Sequence, residues 1–371
     1  MSTDRPDLAD GILRAYLSDN AVGASPEILA AVVAATAGVA APYGEDPLSI
    51  GVTDLLSATF EHTVDVFPVA TGSAANGIAL AALTPPWGAV LCHPDAHIAN
   101  DEAGAPEFFT NGAKLVPVGG ANGKIDPDLL REAASRRRGD IHSVQPAVLS
   151  ITQATESGSV YSIDELRTLT AIARDAGLRV HMDGARFANA LVALGASPAE
   201  MTWMLGVDVL SFGATKNGAM TADAVVSFDP ALAAELAFRH KRAGQLTSKM
   251  RFQTAQLAAY LADGLWLRNA VQANEMARRL RDGFAVTPGV EVLGDDLISD
   301  DAIGEATANI LFCRFSEHLT SSLRDRGFDF YAGRWEQDVV RIVTSFAHTE
   351  RDIDALLTAT REVLRPQVVG V

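Results

Sequence analysis

Cysteine is scarce: among 371 residues only Cys92 and Cys313 carry a thiol. Each sits in an apolar run, Ala89-Val-Leu-Cys92 and Ile310-Leu-Phe-Cys313. Both read as small core residues of a reducing compartment, which points to the cytoplasm. Basic residues are also short, with 30 Lys and Arg against 46 Asp and Glu and a net charge of −16. That balance argues against a nucleic-acid surface as the main role and reads as solubility. No stretch approaches the roughly 20 apolar residues of a membrane helix. The alanine-rich stretch 28–41 is too short and small-sided for that, and reads as a packed helix stopped by Pro42. The first residues, Met1-Ser-Thr-Asp-Arg-Pro-Asp7, lack the basic-then-apolar layout of a signal peptide.

What is present is a large apolar fraction, 48%, with enough length for two domains or one large domain and a cap. The middle of the chain alternates short apolar runs with helical patterns. Candidate strands are 64–70, 89–92, 114–118, 147–152, 179–182, 207–212 and 224–228, bounded by Gly, Pro, Asp or Ser. Such runs are the pattern of strands buried on both faces of a mostly parallel sheet. Ser162-Ile-Asp-Glu165 has capping-box spacing and opens a helix ended by Gly177. This alternation implies an open α/β sheet that binds ligands at its strand carboxyl ends. The last third differs. A long helical pattern, 253–284, connects to a strand at 309–315, a helix to 326, a strand at 339–346 and a helix opening at Thr349. The expected organisation is an N-terminal segment 1–49, a large domain 50–265 and a smaller α+β domain 266–371.

Lys216 lies in Gly213-Ala-Thr-Lys-Asn-Gly218, just past one apolar run, and Asp183 in His181-Met-Asp-Gly-Ala-Arg186, at the end of another. A lysine and an aspartate at neighbouring strand mouths are what a pyridoxal phosphate (PLP) site requires. The amine links covalently to the cofactor aldehyde, and the carboxylate holds the ring nitrogen protonated. Thr71-Gly-Ser-Ala-Ala-Asn-Gly77 follows the first strand and opens a helix, where free N–H groups and the helix dipole favour a phosphate. Taken alone, such a turn is usually a tight connection; with Lys216 and Asp183 it reads as a phosphate cradle. Asp183 could otherwise be a helix N-cap, and Arg186 a surface ion pair or a partner of that carboxylate or of the substrate. His97, past the second strand, could stack on a ring or be a hydrogen-bonded loop histidine. It does not pair with His93 on a metal, because Pro94 breaks any helix that would carry both and no third ligand stands in register. Arg341 sits alone in the apolar run Val339-Val-Arg-Ile-Val343. It needs either an internal salt bridge or a substrate carboxylate for its guanidinium fork. The basic run Arg239-His-Lys-Arg242, with Lys249 and Arg251, reads as a solvated face or as groups directed at a phosphate across a subunit boundary.

These pieces resemble the low-specificity threonine aldolases of the aminotransferase-like PLP superfamily, which includes the β-eliminating lyases. Four patches carry the resemblance: Ser18-Asp-Asn with Tyr43-Gly-Glu-Asp-Pro47; the Thr71 turn with Ala96-His-Ile and Asp101-Glu-Ala-Gly-Ala-Pro-Glu107; His181–Arg186 with Gly213–Gly218; and Val340-Arg-Ile-Val-Thr344. The resemblance implies PLP fold type I with a mostly parallel seven-stranded sheet and a smaller α+β domain. It also implies a PLP-dependent aldehyde-lyase that cleaves L-threonine, L-allo-threonine or related β-hydroxy-α-amino acids to glycine and an aldehyde. Lys216 would hold the cofactor, Asp183 pair with the ring nitrogen, and Gly72 and Ser73 grip the phosphate. His97 would stack on the ring, and Arg186, among the cofactor- and substrate-binding residues, would lie near the substrate carboxylate. Ser18 and Arg341 would take the substrate carboxylate, with Tyr43 at the site, and Arg251 would reach the phosphate of a neighbouring subunit. A homodimer or homotetramer with pockets at the subunit boundary is expected, with no nucleic acid, membrane or metal. Much of the family has a histidine near position 156, where this chain has Glu156, so His97, Glu156 or an ordered water stands open as the base for the β-hydroxyl. Another PLP-dependent lyase, a β-elimination, an aminotransferase or a retired binding module would share the same cofactor residues.

Overall fold

The computed structural model describes residues 11–294 and 307–365. The N-terminal run Met1–Asp7 discussed above lies outside them. Seven strands form the main sheet: β1 (Asp65–Val69), β2 (Gly88–Cys92), β3 (Lys114–Pro117), β4 (Gln145–Thr152), β5 (Arg179–Gly184), β6 (Val209–Phe212) and β7 (Asp223–Ser227). Their order is β1-β7-β6-β5-β4-β2-β3. β7 pairs antiparallel with both β1 and β6, while the β6-β5-β4-β2-β3 ladder is parallel throughout. Strands β2, β6 and β7 are buried along their whole length, which is why they read as continuous apolar runs rather than alternating ones. The helix Ile163–Asp175 opens with the reciprocal Ser162–Glu165 capping box that the spacing implies.

A second sheet, four antiparallel strands in the order β10-β11-β9-β8, comprises β8 (Glu291–Leu293), β9 (Ile310–Arg314), β10 (Tyr331–Ala332) and β11 (Val339–Val343). β8 and β10 went unseen in the sequence because three and two residues are too few to show alternation. The helices Glu317–Asp325 and Glu350–Leu364 pack on this sheet around Leu319, Leu323, Ile353 and Leu356.

Two helical expectations need correction. The pattern 253–284 is two helices, Arg251–Leu261 and Leu265–Ala285, because Asp263 and Gly264 take left-handed backbone angles, φ 50° and 68°. The second helix joins both cores, giving Trp266 and Ala270 to the large one and Met276, Leu280 and Phe284 to the small one. The stretch 28–41 is helical only as Pro26–Ala34. The Thr36 hydroxyl donates to the Val33 carbonyl at 2.6 Å, taking an acceptor that a continuing helix would use, and Gly38 turns left-handed well before Pro42. The N-terminal segment crosses between the cores: Tyr16 is buried in the small one, Ile28 in the large one.

Candidate active site

Strands β1, β2, β4, β5 and β6 run in one direction, so the loops after them converge at one edge of the sheet. A cavity of about 230 Å³ opens there, lined among others by Gly72, Ser73, His97, Asp183 and Lys216. Residues as far apart in the chain as Asn20 and Asp223 are brought together in this way.

Lys216 rides a short 3₁₀ turn, Thr215–Asn217, directly after β6. Asp223 of β7 accepts from the Ala214 and Thr215 N–H groups at 2.8 and 3.0 Å. Asn217 donates to the Tyr260 hydroxyl and the Trp266 carbonyl, each at 2.8 Å. The flanking glycines are steric necessities. A Cβ on Gly213 would stand 2.5 Å from the Ala185 carbonyl oxygen, and one on Gly218, whose φ is +120°, would stand 2.3 Å from the Ser25 hydroxyl. The lysine is thus presented by a turn with little freedom.

Asp183 is buried near the end of β5. Its Oδ1 accepts from Ala185 N–H at 3.0 Å and its Oδ2 from Asn76 Nδ2 at 2.9 Å. The same Asn76 amide donates to Glu102 Oε1 at 2.8 Å, and that oxygen pairs with His97 Nδ1 at 2.8 Å. A continuous chain therefore runs Asp183–Asn76–Glu102–His97. The Glu102 bond raises the His97 pKa above its ordinary value, against the opposing effect of burial. With Nδ1 committed to Glu102, Nε2 is the nitrogen His97 can offer to a ligand. His181, in the same motif as Asp183, is a core residue instead. It is fully buried between Ser150 and Ser211 at 2.9 and 3.0 Å, and burial lowers its pKa to about 4.

The phosphate-type turn opens the helix Gly72–Leu83. Thr71 Oγ1 takes the Ala74 N–H at 3.2 Å and the Thr71 carbonyl takes that of Ala75 at 3.1 Å. The first helical N–H groups, those of Gly72 and Ser73, are left at the cavity wall for a ligand. No atom would meet a Cβ on Gly72 within 4 Å, so the space above the turn is open.

Two arginines, Arg186 just after the cavity-lining Ala185 and Arg341 on β11, differ sharply. Arg186 is buried in a bidentate pair with Asp19, Nε to Oδ2 at 2.8 Å and Nη2 to Oδ1 at 3.0 Å. It is neither a surface ion pair nor a hydrogen-bond partner of the Asp183 carboxylate. Burial pushes the Asp19 pKa up most strongly, but the charges of Arg186 and Lys216 together with the hydrogen bonds from Arg186 and Asn309 outweigh it, and the carboxyl falls to about 2. Arg341, on β11, makes no ion pair or hydrogen bond among the described residues. Burial and the like charge of Arg186 lower its pKa. It lines an adjoining cavity of about 620 Å³ together with Glu156, Phe312 and Trp335. Glu156 is half-buried and electrostatically coupled to His97, Arg186 and Arg341, so the two cavities adjoin.

Three expected residues stand elsewhere in the single chain. Ser18 caps a short turn, accepting from Asn20 N–H at 3.1 Å, and it is Asn20 that lines the cavity. Tyr43 packs under Lys241, 4.7 Å from its ring, beside a separate surface hollow. Arg251 starts the helix Arg251–Leu261 and lies over the Phe252 ring, with a buried Nε that has no hydrogen-bond partner among the described residues. Sequence reasoning missed Asp19, Asn76 and Glu102. All three stand inside quoted patches, Ser18-Asp-Asn, the Thr71–Gly77 turn and Asp101-Glu-Ala, but spacing does not show which partners they hold. Among the described residues no group of three or more His, Cys, Asp or Glu could hold a metal, and no helix is long and apolar enough to cross a membrane.

An open mostly parallel sheet with a smaller antiparallel one, and a lysine facing an aspartate at the strand mouths, define a pyridoxal-phosphate enzyme of fold type I. The family model described as beta-eliminating lyase matches residues 16–297. A low specificity L-threonine aldolase from Pseudomonas sp. (strain NCIMB 10558) is 43% identical over 316 residues, 85% of this chain and 88% of that protein. One from Pseudomonas aeruginosa is 42% identical over 337 residues, 88% of this chain and 94% of that protein. Among solved structures, a threonine aldolase from Leishmania major superposes with a TM-score of 0.85 at 26% identity, covering 95% of this chain and all of that one. The chain belongs to the beta-eliminating lyase family, in its group of low-specificity L-threonine aldolases.

Proposed function

We propose that the chain is a pyridoxal-phosphate-dependent aldehyde-lyase that cleaves L-threonine, L-allo-threonine and related β-hydroxy-α-amino acids to glycine and an aldehyde. The observation that carries this reading is the pairing of arginines: Arg186 is neutralised by Asp19, whereas Arg341 has no ion pair or hydrogen bond among the described residues and lines the second cavity. A half-buried unpaired cation is costly to the fold, and an amino-acid carboxylate is the partner that accounts for it.

The donor set fits the cofactor. Lys216 would hold its aldehyde, Asp183 its ring nitrogen, and the Gly72 and Ser73 N–H groups its phosphate. When bound, the cofactor withdraws electrons from the substrate Cα and so weakens the bond held perpendicular to its ring. The chain's own part is orientation and proton handling. Arg341, assisted by Ser18 or its neighbour Asn20, fixes the carboxylate and thereby sets which Cα bond is perpendicular. Asn76 holds Asp183 in place through its second donor to Glu102. His97 covers the ring and takes the β-hydroxyl proton on Nε2, because Nδ1 is fixed by Glu102. Glu156 lines the same cavity as Arg341, and its negative charge favours the charged guanidinium.

The working form is a homodimer or homotetramer in the cytoplasm. Leu29, Val33, Ile50 and Leu55 on the helices Pro26–Ala34 and Pro47–Phe60 expose 42 to 63% of their surface, a run of apolar side chains that a second copy would cover. Tyr43 and Arg251 would then serve the pocket of the partner subunit rather than their own. A panel of threonine, allo-threonine and phenylserine, with aldehyde, ammonia and keto acid measured separately, tests the reading. Aldehyde and glycine in equal amounts are expected; ammonia with keto acid would replace it by elimination, and keto acid without free ammonia by transamination.

A further inference from the structure

A hollow of about 450 Å³ lies against β2 and β3 at the edge of the main sheet, and shares no lining residue with the cofactor cavity. Its floor is apolar. Leu91 of β2 stands in register with Val116 of β3, and the small side chains of Ala89 and Ala133 leave room that larger ones would fill. Its rim is basic. Lys114 opens β3, Arg136 and Arg137 follow the helix Pro127–Ser135, and His142 precedes β4. Among the described residues no Asp or Glu lines the hollow, in a chain that has 46 of them.

The ordinary duties of surface cations do not account for this group. Arginines at a helix end commonly hold its last carbonyls. Here Arg138 does so, its Nε donating to the Ala134 carbonyl at 2.8 Å, which leaves Arg136 and Arg137 unneeded for that task. Elsewhere on the surface Arg131, Arg167, Arg278 and Arg326 each meet a carboxylate. The side chains of Lys114, Arg136 and His142 make no ion pair or hydrogen bond among the described residues. Arg137 gives Nη1 to the Ser143 hydroxyl at 3.2 Å. The acid within this loop, Asp140, is occupied by the His142 N–H at 2.9 Å and the Ser143 hydroxyl at 3.3 Å. Gln145 holds the loop in shape. Its amide nitrogen donates to the carbonyls of Arg137, Asp140 and Ser143, and its oxygen accepts the Gly139 N–H at 2.8 Å. Arg137 is thereby kept at a left-handed φ of 50°, a conformation that is costly for a side chain of its size.

Cations from three elements that converge on an apolar floor without a counter-charge fit an anion with an apolar part. A carboxylate offers two oxygens and one charge. A phosphate monoester offers three oxygens and up to two charges, which suits two guanidinium groups and an ammonium. We propose that the hollow is a second ligand site, which binds a phosphate monoester with a small aromatic or apolar body. Arg136, Arg137 and Lys114 take the phosphate, and the body rests on Leu91 and Val116. The hollow's size falls within the range of about 300–1,000 Å³ usual for small-molecule sites.

The test is calorimetric titration with phenyl phosphate. The chain is first loaded with PLP and reduced with borohydride, so that the catalytic phosphate cradle is filled. One saturable site is expected, weakened by added salt. Inorganic phosphate should bind at least about tenfold more weakly, because it leaves the apolar floor unused. Replacing both arginines, Arg136→Gln with Arg137→Gln, should weaken phenyl phosphate at least about tenfold. Ala133→Leu keeps every cation and fills the floor, and should remove the preference for phenyl phosphate over inorganic phosphate. No saturation at millimolar phenyl phosphate, equal affinity for inorganic phosphate, or binding that survives the loss of both arginines overturns the proposal. If the double variant does not fold, Ala133→Leu decides: an undiminished preference for phenyl phosphate overturns it equally. The hollow shares no residue with the function proposed above, so failure of one leaves the other standing.

Discussion

Replacing Arg341 by methionine sets stability against activity. Arg341 makes no ion pair among the described residues, and burial already disfavours its charge. Removing it should leave the unliganded chain as stable as before, or slightly more so. Substrate binding should suffer heavily. Two charge-assisted hydrogen bonds to a carboxylate contribute about 1.5–3 kcal/mol each. Truncating one side of such a pair in other complexes costs about 2–5 kcal/mol. That corresponds to a rise of about 30-fold to several thousand-fold in KM for threonine. The comparison variant is Arg186→Met, which strands the Asp19 carboxylate in a fully enclosed site and should destabilise the chain by about 3–5 kcal/mol. Urea unfolding of both variants without cofactor, alongside steady-state kinetics, measures both sides. An Arg341→Met chain that unfolds several kcal/mol more easily than wild type, with KM unmoved, would show that this arginine serves the fold and that the carboxylate lies elsewhere.

Other expectations follow from the same geometry. Glu102→Gln removes the acceptor that raises the His97 pKa. Because His97 must be neutral to take a proton, activity should climb with pH through that raised value in wild type, and at lower pH in the variant; an unmoved acid limb would count against His97 as the base. The stability contributed by the imidazolium–carboxylate pair is complete below about pH 6.5, the ordinary histidine value, and disappears as pH rises through the folded one. His97→Phe keeps a flat ring over the cofactor but no Nε2, and should cost about 10²–10⁴-fold in kcat, whereas Glu156→Gln should cost less than about tenfold; the reverse order would make Glu156 the base. Placing aspartate at both Val33 and Ile50, exposed at 63% and 58%, should shift the mass measured by light scattering toward the single chain. An unaltered mass would put the subunit boundary on another face.

The sequence made some parts of this site legible and hid others, for physical reasons. Lys216 and Asp183 were visible because each ends an apolar run and sits among residues with strict steric duties, such as Gly213 and Gly218. Strands β2, β6 and β7 of the main sheet were visible for a related cause: burial on both faces makes them near-continuous apolar runs. Asp19, Asn76 and Glu102 were hidden because their importance lies in partners 167, 107 and 5 positions away along the chain, which spacing alone does not connect to a function. The Arg341 alternatives, internal salt bridge or substrate ligand, became distinguishable only once the surrounding charges were placed and the salt bridge was found on Arg186 instead. The break at Asp263-Gly264 was missed because the apolar period on either side stays in phase, and a left-handed pair costs little where glycine is one of the two.

Every role assigned to these residues depends on the covalent site of the cofactor. Incubation of the chain with pyridoxal phosphate, reduction with borohydride and mass mapping of the peptides should place a single pyridoxyl label on the Nζ of Lys216. A label on a different lysine, or a chain that takes up none, would contradict it.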